Sequence, residues 1–238
     1  MAYGDKESNK FDLYLPADDT RKSYGLVVYL HAGGFTSGDK SGDRKILSWL
    51  CSKGYVAAGI NYTLRNQENP DANVYTQSIE IKEAVPKVIE EAEKHGCLIN
   101  EMAVAGGSAG HTLAMLYAYR DADSSPVPVR LLFGVMGGVK LTPEMIKDGS
   151  YIEKLKPVSA VMWIHEGTVP SVVAYGKYDK VQPFKGSRRL LKAYRENKVD
   201  HQYFECSHSG HGLQNDSKVY KEYMETVEKY LKKYLPVK

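Results

Sequence analysis

The sequence predicts an α/β fold, a mostly parallel central sheet with helices on both faces. Three observations carry this. Continuous apolar runs such as Gly25-Leu26-Val27-Val28-Tyr29-Leu30 and Tyr55-Val56-Ala57-Ala58-Gly59-Ile60 suit strands buried on both faces. Helix-forming segments alternate with such runs through the middle and end of the chain, which implies right-handed crossovers between parallel strands. The residues able to do chemistry fall just after strands, where ligands bind in such sheets. The 238 residues show no internal repeat and no low-complexity segment, and a single domain over 1–238 is expected.

Taken in order, Phe11 to Leu15 alternates and is closed by Pro16, giving a first strand. Asp18 to Ser23 is a turn, and Gly25 to Leu30 is a central strand that runs into His31-Ala32-Gly33-Gly34-Phe35. Arg44 to Lys53 carries Ile46, Leu47 and Leu50 at helical spacing, with Gly54 as its C-terminal stop. After the strand ending at Ile60 and a polar loop, a long helix is expected from about Tyr75 to Lys94. Pro86 inside it should kink or split it. Met102 to Ala105 is a strand and Leu113 to Ala118 a helix. Val129 to Val135 is another buried strand. Val139 to Ile164 is irregular, with a short helix after Pro143 and room for a small lid at most. Ser171 to Tyr175 is a strand, Phe184 to Asn197 a helix and His201 to Phe204 the last strand. A final helix spans Asp216 to Tyr234, capped by Asp216 or Ser217, with Val219, Tyr223, Val227, Tyr230 and Leu231 on one face. That face is read as core packing and the lysines of the helix as solvated, not as a membrane anchor.

Bulk properties exclude several classes. A hydrophobic content of 42% and a charged content of 26% are ordinary for a globular protein. The formal net charge of +3 is too small to argue for nucleic acid or an anionic membrane. No apolar run approaches the roughly 20 residues that a membrane-spanning helix needs. The polar start Met1 to Glu7 has no signal-peptide core, so a cytoplasmic location is expected. Cys51, Cys97 and Cys206 are odd in number and far apart, which is neither a disulfide framework nor metal-ligand spacing.

The functional core of the sequence is Gly106-Gly107-Ser108-Ala109-Gly110, a G-x-S-x-G segment between a strand and a helix. A serine at the tip of so sharp a turn has strained backbone angles. Its glycine neighbours let strand and helix approach, and the helix N-terminus favours developing negative charge. Asp179 follows a strand in Gly176-Lys177-Tyr178-Asp179-Lys180-Val181-Gln182-Pro183. His211 follows the last strand in Ser209-Gly210-His211-Gly212-Leu213. A serine hydroxyl needs a histidine to take its proton, the histidine needs a carboxylate to fix its tautomer, and the tetrahedral oxyanion needs N–H donors. Ala109 supplies one candidate donor, and Gly33 and Gly34 the others.

These segments together resemble the esterase/lipase type of α/β-hydrolase, close to the hormone-sensitive-lipase-like and small carboxylesterase groups, from about Phe11 to Leu231. His31-Ala32-Gly33-Gly34-Phe35 resembles the family's H-G-G-G-[FW], with Ala32 in the first glycine position. Asn61-Tyr62 resembles N-Y-R, with Thr63 in place of arginine. Asp179-Lys180-Val181-Gln182-Pro183 resembles D-x-x-V-P, with valine one place early. Gly210-His211-Gly212-Leu213 resembles G-H-G-[FL]. The serine, acid, histidine order is that of the α/β-hydrolase triad. The resemblance implies an α/β-hydrolase fold with a small or absent lid, Ser108 as nucleophile, His211 as general base and Asp179 as its partner. It gives Gly33, Gly34 and Ala109 as the oxyanion hole, and His31 and Tyr62 as residues shaping the loop.

Competing assignments stand beside these. His208 is the rival to His211, and Glu205 and Asp216 are rivals to Asp179, although neither follows a strand at the correct place. His165 and His201 read as surface residues, and His111 has no assigned role. Tyr62 is either core or a support for the oxyanion loop. The expected function is a serine esterase for short- to medium-acyl esters, acetyl esters of sugars among them, acting on a small molecule with no metal or organic cofactor. A homodimer is compatible with the sequence. An amide hydrolase (a small peptidase or formamidase) on the same triad is the alternative, followed by a non-catalytic binding homologue.

Overall fold

A computed structural model describes residues 1–18, 20–139 and 155–237. Its framework is a seven-stranded sheet: β1 (Phe11–Tyr14), β2 (Tyr24–Leu30), β3 (Val56–Ile60), β4 (Ile99–Gly107), β5 (Val129–Val135), β6 (Ser171–Gly176) and β7 (His201–Cys206). The strand order is β1-β3-β2-β4-β5-β6-β7. Only β1 is antiparallel, with Phe11 opposite Ile60, and the remaining pairs are parallel.

The alternation of side chains along each strand sorts the core into two layers. Leu26, Val28 and Leu30 of β2, with Met102 and Val104 of β4, pack on one face under α2 (Val74–Lys94), α3 (Ala109–Arg120) and α4 (Phe184–Glu196). Val27, Ala103 and Ala105 pack on the other face under α1 (Arg44–Ser52) and α5 (Ser217–Tyr234). The helix expected over Leu113 to Ala118 extends to Ala109 and Arg120, and its residues from Ala109 to Tyr119 are all buried. A helix that is apolar all round has no water-facing side, and α3 is the central helix of its layer.

Register aligns the working ends of the strands. Leu30 pairs with Gly106, Gly107 with Val135, Val135 with Ala174 and Gly176 with Cys206. The segments after β2, β4, β5, β6 and β7 therefore emerge side by side along one edge.

Two expectations are corrected in whole or in part. Of the two outcomes expected at Pro86, the split does not occur, since α2 runs from Val74 to Lys94. The buried residues Ala84, Val85, Val88 and Ile89 anchor the helix on both sides of it, and Pro86 itself is exposed, on a face where solvent can reach the carbonyl that its missing N–H leaves without a donor. Asp216 occupies the N-cap position of α5, yet its side chain makes no capping bond. Its carboxylate instead accepts hydrogen bonds from the His208 and Ser209 segment. The short helix expected after Pro143 lies outside the described residues, as does most of the expected lid. Among the described residues, no helix is long and apolar enough to cross a membrane.

Candidate active site

Ser108 sits between β4 and α3 with φ 51° and ψ −116°, a left-handed conformation that a non-glycine residue holds only under constraint. The constraint is visible on both sides. Its N–H donates to the Val135 carbonyl at 2.8 Å, and its carbonyl accepts from Thr112 N at 3.0 Å. A Cβ on Gly110 would lie 1.9 Å from the Leu30 carbonyl oxygen, and one on Gly106 would lie 2.5 Å from the Gly110 carbonyl carbon. Strand and helix touch backbone to backbone there, which is the steric reason for the G-x-S-x-G spacing.

Three side chains from three strand ends meet in a chain of hydrogen bonds. Ser108 Oγ lies 2.8 Å from His211 Nε2. His211 Nδ1 lies 2.7 Å from Asp179 Oδ2. The other carboxylate oxygen, Oδ1, accepts from the N–H groups of Val181 and Gln182, both at 2.8 Å. The Asp179 side chain is 1% exposed and that of His211 28% exposed. An ionised carboxylate only accepts, so Nδ1 of His211 carries the proton and Nε2 is left as acceptor for the serine hydroxyl. Ser108 Oγ–H is placed to donate to that nitrogen.

The rival histidine is held elsewhere. His208 Nδ1 pairs with Asp216 Oδ1 at 3.0 Å, and the His208 side chain is 79% exposed. Asp216 Oδ2 also accepts from His208 N at 3.0 Å and Ser209 Oγ at 2.6 Å. Glu205 pairs with Arg188 at 3.8 Å. His165 is exposed and His201 half-buried.

The loop after β2 is shaped by its own contacts. The His31 ring is buried and stacks on Tyr62 with centroids 4.3 Å apart and planes 6° apart. Tyr62 Oη donates to the His31 carbonyl at 2.9 Å. His31 Nδ1 is 2.8 Å from the Ala32 carbonyl oxygen and acts as donor to it. Burial lowers the pKa of this imidazole below its ordinary value, which keeps it neutral. Gly33 has φ 138°, and a Cβ on it would lie 1.8 Å from the Ser37 carbonyl oxygen. Its own carbonyl accepts from Ser37 N and Ser37 Oγ, both at 2.9 Å.

Ser108, Ala109, Gly34 and His211 line a cavity of ≈ 390 Å³. Phe35, Val74, Met136, Leu155 and Val158 make most of its wall apolar. Gly33 is not among the described lining residues. Among the expected N–H donors, Gly34 and Ala109 are thus the two that border the space beside Ser108.

Some contributors were not anticipated from sequence. Gln77 Nε2 donates to the Phe35 carbonyl at 3.0 Å and the Thr63 carbonyl at 2.8 Å, tying the loop to α2. Its signal is present in the sequence, since Gln77 shares the apolar stripe of Ile81, Ala84 and Val88. Thr63, at the place where the family pattern has arginine, gives its N–H and Oγ to Glu80 at 2.6 and 2.7 Å. His111 is fully buried, and its Nδ1 accepts from Gly137 N at 2.9 Å. Burial pushes its pKa down to about 3, so it is a neutral support for the segment after β5. Thr112 Oγ1 accepts from Gly138 N at 2.7 Å beside it.

A family model described as BD-FAE matches residues 11–130. The chain belongs to the BD-FAE family. That match covers the loop after β2 and the Ser108 turn, and stops before Asp179 and His211. Membership places the chain among α/β-hydrolases of the esterase/lipase type, in accord with its sheet order and with solved structures. Apo esterase 2 of Thermogutta terrifontis superposes with a TM-score of 0.82 at 20% identity, covering 100% of this chain and 95% of that one. A truncated carbohydrate esterase from gut microbiota gives a TM-score of 0.78 at 18% identity, covering 97% and 94%. At such identities the likeness concerns the fold. Among curated relatives, esterase LipC of Mycobacterium tuberculosis (strain ATCC 25618 / H37Rv) is 22% identical over 243 residues, covering 90% of this chain and 59% of LipC. Kynurenine formamidase of Salmo salar is 30% identical over 147 residues, covering 60% of this chain and 46% of that protein. The BD-FAE chain thus spans about half to three-fifths of the length of these two relatives.

Proposed function

We propose that the protein is a serine hydrolase of carboxylic esters with short to medium acyl groups. The observation that carries this reading is the unbroken hydrogen-bond chain from Ser108 Oγ through His211 to Asp179, opening on the ≈ 390 Å³ cavity. In this mechanism Ser108 Oγ attacks the ester carbonyl carbon as its proton passes to His211 Nε2. Asp179 holds the imidazolium. The oxyanion is met by N–H donors from Ala109 and the Gly33–Gly34 turn, with Gly34 nearest the cavity. Collapse expels the alcohol, which takes the proton from His211. Water, deprotonated by the same nitrogen, then releases the acid from Ser108. The small-molecule substrate needs no cofactor for these steps.

Relatives and neighbours support this direction by what they are: an esterase in LipC, and a carbohydrate esterase among proteins of the same fold. Acetyl esters of sugars are accordingly the first natural class to try. The alternative is an amide hydrolase. It is favoured by the kynurenine formamidase relative, whose reaction class could run on the same three side chains.

The deciding experiment is hydrolysis of p-nitrophenyl esters from acetate to palmitate, with Ser108→Ala as the blank. A Ser108-dependent rate that peaks at acetate or butyrate is expected. No Ser108-dependent rate on any ester, with hydrolysis of a formanilide instead, would replace the esterase by the amidase. Failure of a fluorophosphonate to label Ser108 would favour a non-catalytic binding protein.

A further inference from the structure

Gln182 stands three residues after Asp179, where the D-x-x-V-P pattern that this segment resembles has an apolar residue. The exchange with its neighbour inverts the usual polarity. Val181 is 71% exposed at the cavity mouth, whereas Gln182 is 8% exposed and lines the cavity. Its backbone N–H is committed to Asp179 Oδ1 at 2.8 Å. Among the described residues its side-chain amide has no hydrogen-bond partner. The amide borders the open space of the cavity, so a substituent bound there displaces its water and must replace the hydrogen bond lost.

The space around that amide is kept open by missing side chains. A Cβ on Gly138 would lie 3.2 Å from Gln182 Oε1 and 3.3 Å from Thr112 Oγ1. A Cβ on Gly186, in the first turn of α4, would lie 2.6 Å from Gln182 Nε2. The amide therefore lies between two glycines, held in place through its own backbone by the carboxylate that also holds His211. It presents a carbonyl acceptor and an NH₂ donor to a cavity whose walls are otherwise mostly apolar.

We propose that Gln182 is the specificity-determining residue of the site and that it selects esters carrying a hydrogen-bonding group on an otherwise apolar substituent. This rests on the esterase reading above. A substrate with a hydroxyl or carbonyl at the right place satisfies the amide, whereas an isosteric hydrocarbon leaves it buried and unpaired. Sites built on a hydrogen bond discriminate against the analogue that lacks it far more strongly than apolar pockets discriminate by size.

The test uses two matched ester pairs and the full-length enzyme. On the acyl side, p-nitrophenyl levulinate is compared with p-nitrophenyl pentanoate. On the alcohol side, hydroxypropyl butyrate is compared with butyl butyrate. The readout is the ratio of kcat/KM, polar member over apolar, in wild type, Gln182→Leu and Gln182→Met. In at least one pair the wild type should favour the polar member, and both substitutions should lower that ratio by about tenfold or more. Part of the change should come from faster turnover of the apolar ester. Gln182→Met serves if Gln182→Leu melts early. Ratios within about twofold of wild type in both pairs, in a variant still labelled by phosphonate at Ser108, would overturn the assignment of Gln182 alone. Absence of Ser108-dependent turnover of every member by wild type would remove the esterase reading and this inference with it.

Discussion

His208 and Asp216 form a second histidine–carboxylate pair, Nδ1 to Oδ1 at 3.0 Å, on the same loop that carries His211. The pair looks like a rival to the His211–Asp179 pair but faces another way. His208 is exposed, whereas Asp216 is buried beneath the loop and gathers His208 N and Ser209 Oγ on one oxygen. Ser209 Oγ in turn accepts from Asn215 N at 3.0 Å. The pair fastens the two ends of the loop whose middle presents His211 to Ser108.

Removal of the exposed partner should therefore be mild, and removal of the active one severe. His208→Ala is expected to change kcat/KM by less than about threefold, as for an exposed ion pair. His211→Ala should lower kcat by about 10⁴-fold or more, similar to Ser108→Ala. Steady-state kinetics on p-nitrophenyl butyrate checks both, and the reverse order would move the general base to His208.

Asp216→Asn should loosen the loop, with kcat reduced about ten- to a hundredfold by misplacement of His211. Hydrogen bonds from Ser209 and His208 hold the Asp216 pKa below its ordinary value of 3.8. A carboxylate with a lowered folded-state pKa adds stability above its unfolded pKa and loses it as pH falls through the folded one. The Tm difference between wild type and Asp216→Asn should accordingly be full at pH 7 and close as the pH drops below 3.8. A difference that persists unchanged into that range would contradict this account.

Asp43 has the opposite sign. Burial, and then the charge of Asp39, raise its pKa to about 7, and among the described residues its Oδ2 has no partner. The folded state keeps a proton that the unfolded chain has lost, so stability declines as pH rises from 3.8 to about 7. Asp43→Asn should raise Tm, by more at pH 8 than at pH 5, in thermal melts followed by circular dichroism.

Tyr62→Phe removes the hydroxyl from the His31 carbonyl while leaving the stacked ring. The buried carbonyl then lacks a donor, at a cost of about 1–3 kcal/mol. Because that bond braces the turn of Gly33 and Gly34, kcat should fall more than KM rises. Equal activity with a lowered Tm would make Tyr62 a core residue only.

Gly110→Ala places a methyl group 1.9 Å from the Leu30 carbonyl oxygen. Relief requires α3 to move from β2, and a loss of about 3 kcal/mol is expected with loss of turnover. Urea denaturation with unchanged slope would give the value directly.

Much of this arrangement is legible in the chain because its causes are local. Strands buried on both faces appear as apolar runs, and Gly106 and Gly110 mark the place where backbones touch. Other features depend on distant partners. Pro86 reads as a residue that kinks or splits its helix, because the buried neighbours that keep α2 continuous through it are known only once the sheet is assembled. Asp216 reads as a helix cap, because its claim on His208 and Ser209 exists only after the loop closes. Gln77 and Gln182 are ordinary polar residues until burial gives each a task, one with two carbonyls to hold and the other facing the cavity.

Ser108 shares its left-handed backbone with Phe35, Met136 and Leu213, at φ 69°, 60° and 53°, each beside the cavity or next to the His211 turn. Four residues held against their own preference in one place amount to a tension concentrated where the chemistry lies. Glycine at any of them would relax the backbone, and a chain selected for endurance alone would find those exchanges early. On the esterase reading proposed above, the same four positions are where stability and turnover make opposite demands.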